Sequence, residues 1–565
     1  MSCLKKNNCL LTVSLILLTI YAIGCSSSGT DEGGGNNQDT NESISMEEAS
    51  RFLSMATLGA DYEEIEKAAA VGREQWIEQQ FNQPIGYNLP FTLELLELAF
   101  ENDFEDIQPF RRYSWWQEVM TSPDLLRQRV AFALSEIFVV SDRVNVLADH
   151  PEGLSSYYDV LLENAFGNFR DLFLDVTLHP VMGIYLSHIN NKKADPEINR
   201  FPDENYARES MQLFSIGLDE LNPDGTIIED NDGFPIPTYD NSNITESAKI
   251  FTGLVSAPPR GPFAEEDRFN LIDPMVMNEE DHEPGEKILL NGQVVPSGQN
   301  GMQDIEDAIG NLFNHPNTGP FICKKLIQRL VTSNPEPDYV QRVANVFADN
   351  GSGVRGDMKA VIKAILLDQD ATNISQSDKP EFGKFHEPWV RYVSILRQFN
   401  ATTPNGYYFN NGFLAQFFLN QHVLSSPSVF NFFLPNFKPN GIIGENDLVA
   451  PEFQIITSST IINHPNLMFI IAFLEELMSV PDAEDMFFIT VHNAAFDFSD
   501  EIAIADDPVA LVDRLDLIFT YGQMSDGMKQ IIIDAMSNID VEDRLFRVQT
   551  ALYLFMISPE YVVQN

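Results

Sequence analysis

Four polar side chains lie close together in an otherwise apolar stretch, and their types suit acid–base chemistry. Glu204, Asn205, Arg208 and Glu209 occupy positions i, i+1, i+4 and i+5. Residues four apart face each other on a helix, so Glu204 is expected to pair with Arg208, and Asn205 with Glu209. The group is either a structural ion network or the floor of a pocket. In the pocket interpretation, the chain is a hydrolase acting on glycans, peptides or esters.

A histidine in a turn-prone loop is the second candidate for chemistry. The sequence Asp281-His-Glu-Pro-Gly-Glu-Lys287 concentrates ionisable groups around His282. A histidine can act as a general base or as a metal ligand, with Asp281 or Glu283 orienting the ring. The alternative is a surface loop that carries one histidine. In the hydrolase hypothesis, His282 reaches the predicted helix at 203–217 as acid, base or metal ligand.

Acidic side chains between two short apolar runs could bind calcium through their carboxylate oxygens. Asp224, Asp230 and Asp232 lie in this segment, and Asp281 is a further metal-ligand candidate beside His282. The acidic segment lacks the full spacing of an EF-hand loop. Because Asp, Asn and Gly also favour tight turns, turn formation is the alternative. The cofactor therefore stays open, with a divalent metal as the candidate.

The elements that must position these groups are mostly helices. Pro202 and Asp203 suit a helix start, and Gly217 suits the left-handed position just past a helix end. Apolar residues recur with helical spacing along the body, and no fixed-period repeat or clean linker divides it. We therefore predict a mainly α fold, with one large helical domain over residues 45–565 that carries inserted β-hairpins and long loops.

Local patterns predict particular starts and turns within this domain. Ser45 and Glu48 have the spacing of a capping box at the first helix. An Asp/Asn/Gly turn between two apolar runs predicts a hairpin near 225–240. A second hairpin is predicted near 286–296, with Asn-Gly at residues 291–292 as its turn.

The N-terminal residues have the pattern of a lipoprotein signal. Two lysines precede an apolar run at residues 9–20, which has signal-peptide length, and a small residue lies directly before Cys25. We expect residues 1–24 to be the signal, Cys25 to carry a lipid, and residues 25–44 to form a flexible Ser/Gly/Asn-rich tether. The alternatives are an ordinary cleaved signal or an uncleaved anchor. The expected location is the bacterial cell envelope, with the chain anchored to a membrane through Cys25.

Charge, cysteine content and motifs narrow the function further. The formal net charge is −48, from 83 acidic and 35 basic residues, and it repels phosphate backbones, so we expect no nucleic-acid partner. Of the four cysteines only Cys323 lies beyond position 25, in an apolar helical context that favours a packed core thiol. The sequence carries no Walker loop, Cys-x-x-Cys, His-Glu-x-x-His or Gly-x-Ser-x-Gly motif.

Several short segments, taken in order, resemble one bacterial family. They are Arg51-Phe-Leu-Ser-Met-Ala-Thr-Leu-Gly59, Gly167-Asn-Phe-Arg-Asp171, Glu204-Asn-Tyr-Ala-Arg-Glu209, Leu213-Phe-Ser-Ile-Gly217, Ile244-Thr-Glu246, Phe251-Thr-Gly253, His315-Pro-Asn-Thr318, Lys325-Leu326, Gly356-Asp357, Ala364-Ile365 and Ser558-Pro-Glu560. The chain resembles the domain of unknown function family 1800 over nearly its whole body. Two departures are Leu254, where the family often has an aromatic residue, and the stretch 407–437, where it usually has a Gly-Trp-containing segment.

The resemblance implies an exported or envelope-associated, mainly helical protein, and no reaction is established for the family. Its members are often encoded beside proteins that resemble the sulfatase and phosphatase superfamily, which implies such a protein as a partner. The leading interpretation is therefore a lipid-anchored envelope protein that binds or assembles with another component. The alternatives are an envelope hydrolase with a polar pocket on the 203–217 helix, and a calcium-stabilised structural protein that uses the acidic hairpin.

Overall fold

The computed structural model describes residues 43–259, 269–408, 417–474 and 494–565. The predictions for the signal, Cys25 and most of the tether therefore lie outside the described residues. Within these ranges the fold is mainly α, as predicted, and the β-strands are short antiparallel pairs.

The α-helices of the described ranges follow one another with short connections in some places and long loops in others. They are α1 Met46–Ala56, α2 Tyr62–Val71, α3 Arg73–Phe81, α4 Asn88–Glu101, α5 Phe110–Thr121, α6 Leu125–Ser135, α7 Asn145–Ala148, α8 Pro151–Asn164, α9 Phe169–Leu178, α10 Pro180–Tyr185, α11 Asn205–Gln212, α12 Asn241–Ile250, α13 Gly301–Asn314, α14 Thr318–Leu330, α15 Pro337–Ala348, α16 Met358–Leu367, α17 Gln369–Thr372, α18 Pro388–Gln398, α19 Ile442–Glu445, α20 Thr460–Phe473, α21 Ser499–Ile504, α22 Pro508–Thr520, α23 Asp526–Ser537, α24 Arg544–Met556 and α25 Pro559–Val562.

Helix starts are stabilised both by neighbouring residues and by distant ones. The capping box predicted at α1 is confirmed, because Glu48 N donates to Ser45 Oγ at 3.1 Å and Ser45 N donates to Glu48 Oε2 at 3.0 Å. Helix α4 has no side-chain cap of its own. Asp159 of α8 takes that role, since its carboxylate accepts from Asn88 N at 2.7 Å and from Leu89 N at 2.9 Å. The unpaired N–H groups of a helix start are thus satisfied in both cases.

Aromatic packing joins helices that are far apart in sequence. Trp116 of α5 is fully buried, with its ring centroid 5.4 Å from that of Trp115 and 5.3 Å from that of Trp389 in α18. Tyr392 closes the group at 5.6 Å from Trp116. Large buried rings contribute much of the apolar area that stabilises a core of this kind. Cys323 of α14 is also fully buried, so the predicted core thiol is confirmed.

Six short strands form three antiparallel pairs in the described ranges. The pairs are β1 Leu254–Val255 with β2 Val276–Met277, β3 Lys287–Ile288 with β4 Val294–Val295, and β5 Lys384–Phe385 with β6 Val563–Gln564. The β3–β4 pair lies in the region where a hairpin is expected. Asn291 and Gly292 at its turn have φ of 58° and 71°, the left-handed values that Asn-Gly adopts most readily.

Residues 218–238, here called the acidic element, form three extended segments whose backbones bond to one another in a closed ring. Ile228 N donates to Glu220 O at 2.8 Å, Ile236 N to Ile228 O at 3.0 Å, and Glu220 N to Ile236 O at 2.8 Å. Turns at Asp224-Gly and Asp232-Gly connect the segments. The region predicted as a hairpin near 225–240 therefore supplies the second and third segments of this larger unit.

Among the described residues, no helix combines the length and the apolar character needed to cross a membrane.

Candidate functional site

The helix that carries the four polar candidates is shorter than predicted. Helix α11 spans Asn205–Gln212, whereas the sequence predicts a helix over 203–217. The chain leaves the α-helical pattern after Gln212, since Ile216 N and Gly217 N both donate to Met211 O at 3.0 Å, over wider spacings than the four residues of an α-helix. Gly217 has the expected left-handed φ of 75°, and a Cβ there would lie 2.6 Å from the Phe321 ring. The Phe321 ring of α14 therefore leaves no room for a side chain at this left-handed position.

Only one of the two expected pairs forms on α11. Arg208 Nη2 lies 3.6 Å from Glu204 Oε2, and Thr245 Oγ1 of α12 donates to Glu204 Oε1 at 2.9 Å. Both members of this ion pair are more than a third exposed, so water screens it strongly. Among the described residues, no hydrogen bond joins the Asn205 and Glu209 side chains. The four polar side chains, here called the polar face of α11, are therefore joined to one another by only one of the two expected contacts.

Glu209 is the buried member of the polar face. The residue is 7% exposed, and its Oε2 atom has no hydrogen-bond partner within the described part of the chain. Burial raises the pKa of Glu209, and the nearby Arg208 charge opposes that rise. An unpaired buried carboxylate is costly, so protonation of this group is favoured relative to an exposed glutamate.

His282 lies in a buried ionic cluster rather than on an exposed loop. Its Nε2 atom is 3.0 Å from Asp304 Oδ2 and 3.3 Å from Lys287 Nζ. Lys287 also donates to Asp304 Oδ2. The exposures of His282, Lys287 and Asp304 are 2%, 1% and 0%. The cluster therefore connects the 281–288 loop and strand β3 to helix α13.

Both ring nitrogens of His282 are engaged by internal partners. Nδ1 lies 2.8 Å from Thr252 O, which can only accept, so Nδ1 carries a hydrogen and donates it. In the neutral ring Nε2 accepts from Lys287, and in the charged ring it donates to Asp304. A general base needs a nitrogen that can reach substrate. In this arrangement His282 holds the loop in place.

Lys287 and His282 stabilise the ionised form of Asp304. Burial by itself raises the pKa of this carboxyl group, but hydrogen bonds from His282 and Lys287, with the Lys287 charge, outweigh burial and leave the pKa below its usual value. Asp304 Oδ1 has no hydrogen-bond partner within the described ranges. The interactions of Lys287 and His282 with Oδ2 therefore offset the cost of burying the Asp304 charge.

Two glycines allow the backbone to approach His282 closely. Gly253 has a φ of 88°, and a Cβ there would lie 2.8 Å from Asn278 O and 3.0 Å from the His282 Cβ atom. A Cβ on Gly301 would lie 3.0 Å from His282 Cγ. Any larger residue at either position would have to displace the loop, so the glycines belong to the packing of the cluster.

Asn191 joins the surroundings of His282 to the start of α11. Gly253 N donates to Asn191 O at 2.7 Å, and Asp203 N donates to Asn191 Oδ1 at 2.9 Å. The Gly253 backbone and the start of α11 are therefore both bonded to the same residue. The hydrogen-bond partners of His282 in the described residues are Thr252, Lys287 and Asp304, and the four α11 candidates are not among them. The contact that the hydrolase hypothesis requires is absent from this set.

Three of the four acidic metal-ligand candidates have carboxylates that are used by their own turns or by an ion pair. Asp224 Oδ1 accepts from Thr226 N at 2.9 Å and from Thr226 Oγ1 at 2.6 Å. Asp230 Oδ1 accepts from Asp232 N at 2.9 Å, and Asp281 Oδ2 is 3.1 Å from Lys192 Nζ. Across the described ranges, no group of three or more His, Cys, Asp or Glu side chains is arranged to hold a metal ion.

A second buried ionic cluster contains residues that sequence spacing does not single out. Its six members are Arg129, Glu136, Arg329, Lys384, Glu387 and Glu452. Arg329 Nε lies 3.3 Å from Glu136 Oε2, and Lys384 Nζ lies 3.2 Å from Glu452 Oε1. Burial and the neighbouring Glu387 raise the pKa of Glu136 to about 8. The only local sign of this cluster is the Lys384-Phe-His-Glu387 segment at the start of α18.

A cleft in the described part of the chain is lined by none of the predicted site residues. It has a volume of about 340 Å³ and is bordered by Asp61, Glu64, Lys67, Arg397 and Tyr408, among others. Arg397 donates to Gly59 O at 2.8 Å, so part of its guanidinium is used in joining α18 to the α1–α2 turn. The cleft is therefore separate from both the α11 face and the His282 cluster.

Comparison with known proteins identifies a family and no function. Neither the curated proteins nor the solved structures contain a match to this chain. The family model described as protein of unknown function (DUF1800) matches residues 51–563, which is nearly the whole body. The chain therefore belongs to the DUF1800 family.

Proposed function

We propose that this protein is a lipid-anchored component of the bacterial cell envelope whose helical body binds or assembles with another envelope component. The location rests on the sequence pattern that ends at Cys25, with two lysines, an apolar run and a small residue before the cysteine. A single lipid-modified residue near the start of the chain leaves the whole body available for contacts with other proteins.

The binding role rests on one observation, the exposure of large apolar side chains on the acidic element. Phe234 is 67% exposed, Leu218 54% and Ile227 48%. Exposed apolar side chains grouped on one small unit mark an interaction surface more often than scattered ones do. A catalytic role for His282 finds less support, since both of its ring nitrogens are engaged inside the protein. By the family resemblance, the candidate partner is a sulfatase- or phosphatase-like protein.

Metabolic labelling with palmitate tests the anchor. The full chain and its Cys323→Ser variant are expected to incorporate the label and to remain with membranes at high salt. The Cys25→Ser variant is expected to lose both properties. Cys323→Ser is the matched control because it removes the buried thiol of the body. Labelling that persists in Cys25→Ser would contradict the proposed anchor.

Site-specific photo-crosslinking in intact cells tests the binding role. A photoreactive phenylalanine analogue replaces Phe234 on the acidic element, or Ile442, which is 79% exposed elsewhere. A partner that co-purifies at fixed stoichiometry should be crosslinked from position 234 and not from position 442. Lipid incorporation without any adduct specific to position 234 would contradict binding through this surface.

A further inference from the structure

We propose that the acidic element docks a basic segment of a partner protein, in which Lys or Arg side chains alternate with apolar ones. This inference rests on the proposed binding role and assigns the chemistry of the partner. It is carried by three features of residues 218–238, namely a closed backbone, exposed apolar side chains and charge of a single sign.

The three segments of the acidic element are held together by their own backbone hydrogen bonds. The ring of hydrogen bonds among Glu220, Ile228 and Ile236 engages backbone groups that an open strand edge would present to a new strand. Asn317, the residue directly before α14, fixes the base of the element: its Nδ2 donates to Asp219 O at 2.8 Å, and its Oδ1 accepts from Leu221 N at 3.0 Å. A partner therefore binds this unit through side chains rather than by adding a strand.

The side chains on the outer part of the element are apolar and exposed. Phe234, Ile227 and Ile236 are 67%, 48% and 37% exposed, and every residue from 229 to 237 is exposed. Covering a phenylalanine and an isoleucine removes enough apolar area from water to anchor a complex. The same exposure leaves these positions free for substitution without disturbing the core.

The charge of the element determines which partner fits. Its sequence contains six acidic residues and no lysine or arginine: Asp219, Glu220, Asp224, Glu229, Asp230 and Asp232. The exposed carboxylates of Glu229 and Asp232 make no hydrogen bond or ion pair with other described side chains. Anionic lipids, nucleic acids and a second copy of this chain, with net charge −48, are all repelled. A basic protein segment is attracted, and its apolar residues can cover Phe234 and Ile227.

Fluorescence anisotropy with a defined probe tests this assignment. The probe is a fluorescein-labelled 12-residue peptide of alternating Lys and Leu, added to the full chain in a nonionic detergent. An alternating Lys and Ser peptide reports charge alone. The double variant Ile227→Ser/Phe234→Ser is expected to bind the Lys/Leu peptide at least about tenfold more weakly. Ile442→Ser, at a position 79% exposed outside the element, is expected to bind like the wild type.

A second pair of variants separates local charge from the overall charge of the chain. Glu229→Gln/Asp232→Asn is expected to weaken binding and to reduce its dependence on salt. Glu63→Gln/Glu66→Gln removes two exposed acids from α2 and is expected to have little effect. Circular dichroism melting checks that each variant remains folded.

Two results would overturn the proposal. The first is equal weakening by both pairs of charge variants, with no effect of the apolar substitutions, because binding would then follow net charge alone. The second is a concentration-dependent dimer in light scattering that Phe234→Ser abolishes, which would assign the surface to a second copy of the chain. Lipid labelling and crosslinking are independent of the peptide probe, so the wider function can stand if this assignment fails.

Discussion

Replacing Lys287 with methionine should destabilise the protein strongly, because it removes the lysine cation that contacts the buried carboxylate of Asp304. The Lys287 and Asp304 side chains are 1% and 0% exposed, so water cannot compensate the charge left behind. Removing one partner of a buried ion pair costs about 3–5 kcal/mol. His282 remains 3.0 Å from Asp304, so we expect the lower end of that range, about 3 kcal/mol.

The size of the chain converts this free energy into a small but measurable shift in melting temperature. Unfolding entropy is about 2.1 cal/mol/K per residue, so roughly 500 folded residues give about 1 kcal/mol/K. A loss of about 3 kcal/mol therefore lowers the melting temperature by about 3 °C, which differential scanning calorimetry resolves.

The matched control is Lys192→Met. Lys192 lies 3.1 Å from Asp281 near the same loop, but the lysine side chain is 46% exposed. An exposed pair contributes less than about 1 kcal/mol, so the control should melt within about 1 °C of the wild type. Equal shifts for Lys287→Met and Lys192→Met would refute the argument from burial.

A double-mutant cycle identifies the cause of the loss. Asp304→Asn removes the charge that Lys287 compensates, so Lys287→Met/Asp304→Asn should be more stable than the sum of the single variants predicts. A coupling of at least about 1.5 kcal/mol is expected for groups in direct contact. Additive effects would show that Lys287 acts through packing of its alkyl chain and not through its charge.

Three further predictions concern pH and backbone conformation. Hydrogen bonds from His282 and Lys287, with the Lys287 charge, lower the pKa of Asp304 despite its burial. The ionised carboxylate therefore stabilises the folded protein fully above about pH 4, and this stabilisation is lost as pH falls through the lowered pKa of the folded state. Calorimetry from pH 6 to pH 2 should find the difference between wild type and Asp304→Asn shrinking, and a constant difference would contradict this. Burial and Glu387 raise the pKa of Glu136 to about 8, so the folded protein keeps a proton that the unfolded chain releases above about pH 4.3. Urea unfolding between pH 5 and pH 8 should therefore show wild-type stability falling more steeply than that of Glu136→Gln, and parallel slopes would oppose it. Gly253→Ala combines a φ of 88° with a Cβ 2.8 Å from Asn278 O, whereas Gly233→Ala has a similar φ of 82° and open space. Urea midpoints should show a loss of about 1–3 kcal/mol from strain at both sites and a further loss at Gly253 alone; equal losses would exclude the packing contribution.

The sequence by itself predicted the features that depend on neighbouring residues. The capping box at Ser45 and the pairing of Glu204 with Arg208 need only residues three or four positions apart. The Asn-Gly turn at 291–292 depends on the left-handed conformations that these two residue types favour. The helical fold class is predicted by apolar periodicity in the same way, because each periodic pattern involves residues within a few helical turns of one another.

Only the tertiary structure decided which buried charged groups meet. Asp304 lies 22 residues beyond His282, and Arg329 lies 193 residues beyond Glu136, so no local spacing indicates either contact. Gly217 lies against Phe321 of a helix more than one hundred residues further along, and that contact is likewise not indicated by local spacing. The energy of a buried ion pair depends on the desolvation that surrounding helices impose, and that desolvation exists only once the chain has folded.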